Sequence, residues 1–194
     1  LEQSDSDFIG YDSLKSDSKI IEYSKNKEGE IYLILDQTPF YAESGGQVAD
    51  MGKIVGENIS LDVTDVKNMN QSIVHICKGT FEYSNPNVHC TVEKTRRNKI
   101  RNNHTTTHLM HKALKNILGD HVNQAGSLVH PDYLRFDLTH FEKITKNQIS
   151  EVEKMVTDQI LEKKKLEVSI KSFDDAKSQG AEALFGEKYG EEVR

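Results

Sequence analysis

Two histidines set four residues apart give the sharpest chemical signal in the chain, in His104-Thr105-Thr106-Thr107-His108. On a helix, positions i and i+4 lie one turn apart on the same face. Two imidazoles placed in this way can share a metal ion, and zinc is the usual guest. At ~100° per residue, His111 falls within about 60° of the pair, and the apolar stripe Met110, Leu114 and Ile117 is centred roughly 120° away. The histidines therefore stand off the apolar face. No Glu follows His104, so the metalloprotease pattern with its adjacent general base is not present. A zinc site needs at least three protein ligands. The helix offers two, with His121, His130 and His140 as candidates only through closeness in sequence. Unliganded surface histidines are the alternative.

Two loops carry further polar chemistry. Thr38-Pro39-Phe40-Tyr41-Ala42-Glu43-Ser44-Gly45-Gly46-Gln47 follows a strand-like segment. Its Gly-Gly pair lets the backbone take positive φ or approach a ligand closely. Exposed N–H groups there suit a small amino acid, and a plain hairpin turn is the alternative. Asn123-Gln124-Ala125-Gly126-Ser127 presents Gln124, which donates and accepts hydrogen bonds at once; a polar connecting loop is the alternative. Ahead of the histidines, Lys94-Thr95-Arg96-Arg97-Asn98-Lys99-Ile100-Arg101 places five cations in eight residues. Such a run either neutralises nucleic-acid phosphates or forms a solvated helix face.

The elements that must hold these groups follow from periodicity. Residues 1–93 show period-2 alternation in Ile31/Leu33/Leu35, Ile59/Leu61/Val63, Val74/Ile76 and Val88/Cys90/Val92. Turn formers separate these stretches, which predicts short strands in a small barrel or sandwich. The character changes near Glu93. A helix is expected over 104–118, capped by Asn102 or Asn103 and ended by Gly119. Leu128 to Leu138 reads as extended. A second helix is expected from about Lys146 to Glu162. Thr145 and Gln148 form its capping box, and Ile149, Val152, Val156 and Ile160 its buried face. Leu166, Val168 and Ile170 alternate as a strand, and Asp174 to Gln179 reads as a short helix stopped by Gly180. The expected architecture is α+β. A β-barrel-like subdomain (1–93) bears the glycine loop. An α+β core (94–194) follows, with an antiparallel sheet and two main helices.

Composition narrows the function classes. The chain of 194 residues carries a net charge of -6, with 36% apolar and 29% charged residues, an ordinary soluble profile. No apolar run approaches the ~20 residues needed to cross a bilayer, so no membrane partner is expected. The opening Leu1-Glu2-Gln3-Ser4-Asp5 has no signal-peptide pattern and no initiator Met, as expected of a piece of a longer chain. Cys77 and Cys90 read as buried thiols in a reducing cytoplasm. Residues 1–93 hold 7 basic and 16 acidic side chains, and residues 94–194 hold 18 and 15. Any polyanion should therefore meet the second half.

Taken in order, six segments resemble the editing region of bacterial-type alanyl-tRNA synthetases, in the threonyl/alanyl-tRNA synthetase second additional domain superfamily. They are Phe8-Ile9-Gly10-Tyr11-Asp12; Thr38 to Gln47 with Val48-Ala49-Asp50-Met51-Gly52; His104 to His111; Val122 to Val129; Leu134-Arg135-Phe136-Asp137; and Ala183 to Gly190. The resemblance implies hydrolysis of mischarged Ser-tRNA(Ala) and Gly-tRNA(Ala). A single binding step discriminates poorly among small side chains, so a second hydrolytic site is used. It implies His104 and His108 as zinc ligands and Thr107 and Gln124 beside the scissile ester. Gly45, Gly46, Gln47 and Arg135 would meet the substrate. Lys94, Arg96, Arg97 and Arg101 would hold tRNA phosphates. ATP and Mg would be needed only in the catalytic domain of a parent protein. Two departures stand out. The family carries Gly at Ala49, and its remaining zinc ligands come from a Cys-x-x-x-His motif beyond the Gly-Glu-Lys-Tyr segment, whereas this sequence ends at Arg194. Three competing readings are a freestanding editing protein, a noncatalytic tRNA-binding module and an unrelated zinc hydrolase.

Overall fold

The computed structural model describes residues 6–70, 72–165, 167–181 and 190–193. The chain divides into two compact units. The first runs to Asn103 and takes back Leu128–Tyr133; the second comprises His104–Ser127 and the chain from Leu134 onward.

The first unit opens with β1 (Asp7–Phe8) and continues through β2 (Lys15–Lys25), β3 (Ile31–Leu35), β4 (Gln37–Thr38), β5 (Gly52–Gly56), β6 (Ile59–Met69), β7 (Ser72–Phe81) and β8 (Asn87–Val92). Six of these strands close a barrel in the order β2-β3-β7-β6-β5-β8, and β1 pairs in parallel with β4. The alternation read from the sequence is the reason for closure. Leu33, Ile54, Leu61, Val63, Cys77, Cys90 and Val92 are all buried in one core. Closure leaves every inner side chain a partner and no free sheet edge. Truncating one of these, Leu33→Ala for example, costs about 2–5 kcal/mol. Cys77 and Cys90 are unpaired thiols inside the barrel. Burial pushes the Cys77 thiol up to about 12 and the Cys90 thiol up to about 11, so both stay protonated.

Helix α1 (Lys94–Leu118) is ten residues longer at its start than the sequence suggested. The expected caps Asn102 and Asn103 lie inside it, and the Asn103 side chain instead donates to the His130 carbonyl at 2.6 Å. The apolar stripe of residues 110–117 does not extend back through the basic run, so periodicity alone missed these turns. The helix ends at Gly119, with φ of 116°.

Strands β9 (Gln124–Val129) and β10 (Leu134–Leu138) form a two-stranded sheet. The stretch expected to be continuously extended is thus broken by the connection at residues 130–133. Helix α2 (Lys146–Leu161) carries the expected capping box of Thr145 and Gln148. Ala113 and Leu114 of α1 pack with Val122 and with Val152 of α2; Phe136 and Leu138 join them. The expected buried face of α2 is narrower than four residues. Val152 is buried, but Ile149 and Ile160 are 47% and 52% exposed. The chain ends in β11 (Lys171–Ser172), α3 (Phe173–Ser178) and β12 (Glu192–Val193), with β11 antiparallel to β12. Val168 and Ile170, expected in a strand, lie in an irregular segment; Leu166 and the motif at 183–189 fall outside the described residues.

Candidate functional site

In the first unit, the Gly-Gly motif forms a two-residue hairpin turn. Gln47 N–H donates to the Ser44 carbonyl at 2.9 Å, and Ser44 N–H returns a bond to Gln47 at 3.2 Å. Gly45 and Gly46 take φ of 57° and 80°, which side-chain-bearing residues resist. The turn is further tied by Val129 N–H to the Gly46 carbonyl at 2.7 Å and by Val48 N–H to the Val129 carbonyl at 3.1 Å. Gln47 is buried.

The loop carrying this turn is held at its base by a buried ion pair that the sequence reading did not single out. Asp50 accepts from Tyr41 N–H at 2.7 Å and from Arg97 Nε at 2.9 and 3.0 Å; Arg97 Nη2 also contacts Asp50. The same guanidinium donates to the Gly10 carbonyl at 2.6 Å and to the Pro39 carbonyl at 2.8 Å. Gly10 approaches so closely that a Cβ there would lie 2.4 Å from the Pro39 carbonyl oxygen. Both charges are buried, so the pairing must satisfy them. Arg97 was expected among the phosphate contacts. Its guanidinium is instead spent inside the protein, because its helix position turns it toward Asp50. A lone acid in the small-residue run Val48-Ala49-Asp50 was the available signal.

Lys94 and Arg101 are exposed. Arg96 is partly buried and reaches the Ala49 carbonyl at 3.2 Å, while Lys99 pairs with Asp132 at 3.3 Å.

A second buried polar pair braces the loop's start. His75 is fully buried, with Nε2 2.7 Å from Thr38 Oγ1 and Nδ1 3.1 Å from the Leu33 carbonyl. The carbonyl can only accept, so Nδ1 bears the proton and Nε2 accepts from the Thr38 hydroxyl. Thr38 Oγ1 in turn accepts from Phe40 N–H at 3.1 Å. Burial pushes the imidazole down to about 4 and holds it neutral.

In the second unit, α1 sets His104 and His108 one turn apart, with ring centres 5.2 Å apart and planes within 18°. Two imidazoles bound to one tetrahedral zinc at ~2.0–2.1 Å would hold their centres about 5 Å apart. The centre spacing of the pair matches that of two positions in a zinc site. Among the described residues no group of three or more His, Cys, Asp or Glu converges for a metal. His111 is not part of the pair: it is buried, with its ring 5.1 Å from Phe136. His121 and His140 bond to each other at 2.8 Å, and His130 stacks on Tyr133. Thr107 is buried on α1. Gln124 Nε2 donates to Ser127 Oγ at 3.2 Å, and Arg135 pairs with Asp137 at 3.2 Å on an exposed surface.

Residues 1–96 match the family described as tRNA synthetases class II (A). The chain is 48% identical over 202 residues to the alanine–tRNA ligase of Oceanobacillus iheyensis, covering 98% of this chain and 23% of that protein. It is 46% identical to the alanine–tRNA ligase of Acetivibrio thermocellus, covering 97% and 23%, and 45% identical to that of Bacillus pumilus, covering 98% and 23%. The chain thus spans less than a quarter of the length of these relatives and is similar to one segment of each.

Proposed function

We propose that this chain is the editing segment of an alanine–tRNA ligase, an esterase that removes serine or glycine from mischarged tRNA(Ala) in the cytoplasm. The observation that carries the reading is the His104–His108 ring pair on α1, within a chain nearly half identical to alanine–tRNA ligases over almost its whole length. The relatives are alanine–tRNA ligases, which join alanine to tRNA. Editing is the further step taken here.

Each group has a role in this reading. His104 and His108 hold the metal, with the remaining ligands supplied from outside the described residues. Zinc, when bound, supplies Lewis acidity at the scissile ester or a fixed point for the aminoacyl group. Thr107 and Gln124 offer hydrogen bonds to the ester and to the developing oxyanion. The Gly45–Gly46 turn and Gln47 shape the amino-acid pocket, and Arg135 contributes to the substrate surface. Lys94, Arg96 and Arg101 hold tRNA phosphates. ATP and Mg belong to the aminoacylation site of the parent protein.

Metal analysis of a longer chain spanning the full length of the relatives tests the ligand assignment. His104→Ala or His108→Ala should strip zinc from the protein; an unchanged zinc stoichiometry contradicts the assignment. A noncatalytic tRNA-binding module is the competing reading. Intact tRNA binding without hydrolysis of Ser-tRNA(Ala) by that chain would favour it.

A further inference from the structure

A directed relay of hydrogen bonds runs from the barrel wall into the glycine loop, and none of the roles above uses it. It starts at His75 on β7, whose Nδ1–H donates to the Leu33 carbonyl of β3 at 3.1 Å. That bond fixes Nε2 as an acceptor, so the Thr38 hydroxyl donates to it at 2.7 Å. Thr38 Oγ1 still accepts from Phe40 N–H at 3.1 Å, which carries the relay onto the loop backbone. The Phe40 ring is fully buried and meets His75 edge to face, with centres 5.5 Å apart. It also passes Gly52 so closely that a Cβ there would lie 2.9 Å from Phe40 Cε1. The next residue, Tyr41, is bonded twice to Asp50. Its N–H donates to the carboxylate at 2.7 Å, and its carbonyl accepts from Asp50 N–H at 3.1 Å. The Tyr41 hydroxyl then donates to the Ser44 carbonyl at 3.3 Å, at the entry to the Gly45–Gly46 turn.

An apolar side chain would fill the place of His75 without the cost of burying an imidazole. What the imidazole adds is an acceptor that turns the Thr38 hydroxyl proton toward the barrel and leaves the oxygen's lone pairs to Phe40 N–H. We infer that His75 and Thr38 are positioning residues for the Gly45–Gly46 turn, and through it set which side chain on the substrate ester is accepted. The inference rests on the editing reading, which makes this turn a wall of the amino-acid pocket. It deepens that reading by assigning selectivity to two fully buried groups. Serine presents a hydroxymethyl group to such a wall, and glycine presents nothing. A displaced turn therefore changes the rate on serine more than the rate on glycine, whereas a loss of folded protein scales both alike.

The test uses the full-length protein and compares kcat/KM for hydrolysis of Ser-tRNA(Ala) and Gly-tRNA(Ala). Thr38→Val keeps the shape of the side chain and removes the hydroxyl. It should lower the serine-to-glycine ratio about tenfold, and Thr38→Ser, which carries the hydroxyl again, should keep the parental ratio. Tyr41→Phe leaves the buried bonds intact and removes only the bond to Ser44. It should shift the ratio the same way by a smaller factor, which keeps the test decisive if Thr38→Val does not fold. An unchanged ratio in both variants, whatever the absolute rates, would make the relay a structural brace only, and the editing reading would stand. A parent protein that hydrolyses neither ester overturns the inference together with the reading beneath it.

Discussion

Arg97 and Asp50 are joined through the guanidinium's Nε and Nη2 in a buried pair that also reaches the Gly10 and Pro39 carbonyls. One side chain from the first turns of α1 thereby fixes both the N-terminal segment and the base of the glycine loop. Removing it leaves a buried carboxylate without its countercharge, held by Tyr41 N–H, and takes a donor from each of two carbonyls. Arg97→Ala should destabilise the protein by about 3–5 kcal/mol in a denaturant titration. Arg97→Lys should recover little, since an ammonium cannot reproduce the planar fork. A loss below about 1 kcal/mol would show that the pair is dispensable.

Phosphate contact should depend on the outward-facing cations. Lys94→Ala and Arg101→Ala should each weaken tRNA binding at low salt and reduce the slope of log K against log salt by about 1, with the fold unchanged. Lys99→Ala should matter less, because Asp132 already pairs with Lys99. A slope unaffected when Lys94 and Arg101 are both replaced by Ala would place the RNA surface elsewhere.

His75 gives the first unit a pH dependence. Its folded value of about 4 lies below the ordinary 6.5, so the unfolded chain takes up a proton on this group first as pH falls. The stabilisation is complete above about pH 6.5 and is lost between there and about pH 4, for a total of ~3 kcal/mol. His75→Gln should flatten that part of the stability–pH curve, as followed by thermal melts. A curve that keeps its full slope in the variant would assign the effect to other groups.

Much of this architecture was legible in the sequence, for identifiable reasons. The strand alternation of Ile31/Leu33/Leu35 and Ile59/Leu61/Val63 survives because a closed barrel has one inside. The Thr145–Gln148 capping box is a local device and was read directly. What sequence did not reveal depends on contacts distant in the chain. Arg97 looks like its basic neighbours until Asp50, 47 residues away, meets it. The start of α1 was missed because its first turns show charge rather than an apolar stripe. Ile149 and Ile160 fit the period of α2, yet only Val152 has enough neighbours to be buried. Of the proposed site, the spacing of His104 and His108 was plain, and the ring pair agrees with it. The placement of His121 against His140 joins residues 19 apart and left no local mark.

Gln124 should matter through shape as well as hydrogen bonding. Gln124→His substitutes a bulkier ring and should slow Ser-tRNA(Ala) deacylation by at least about tenfold in the longer chain, with thermal stability little changed. A parental rate would remove Gln124 from the site.

The proposed esterase is tested most directly by Ser-tRNA(Ala) hydrolysis in the full-length protein carrying His104→Ala and His108→Ala together. Deacylation should fall by at least about 100-fold while charging of tRNA(Ala) with alanine continues at the parental rate. Hydrolysis that survives the loss of both imidazoles would contradict it.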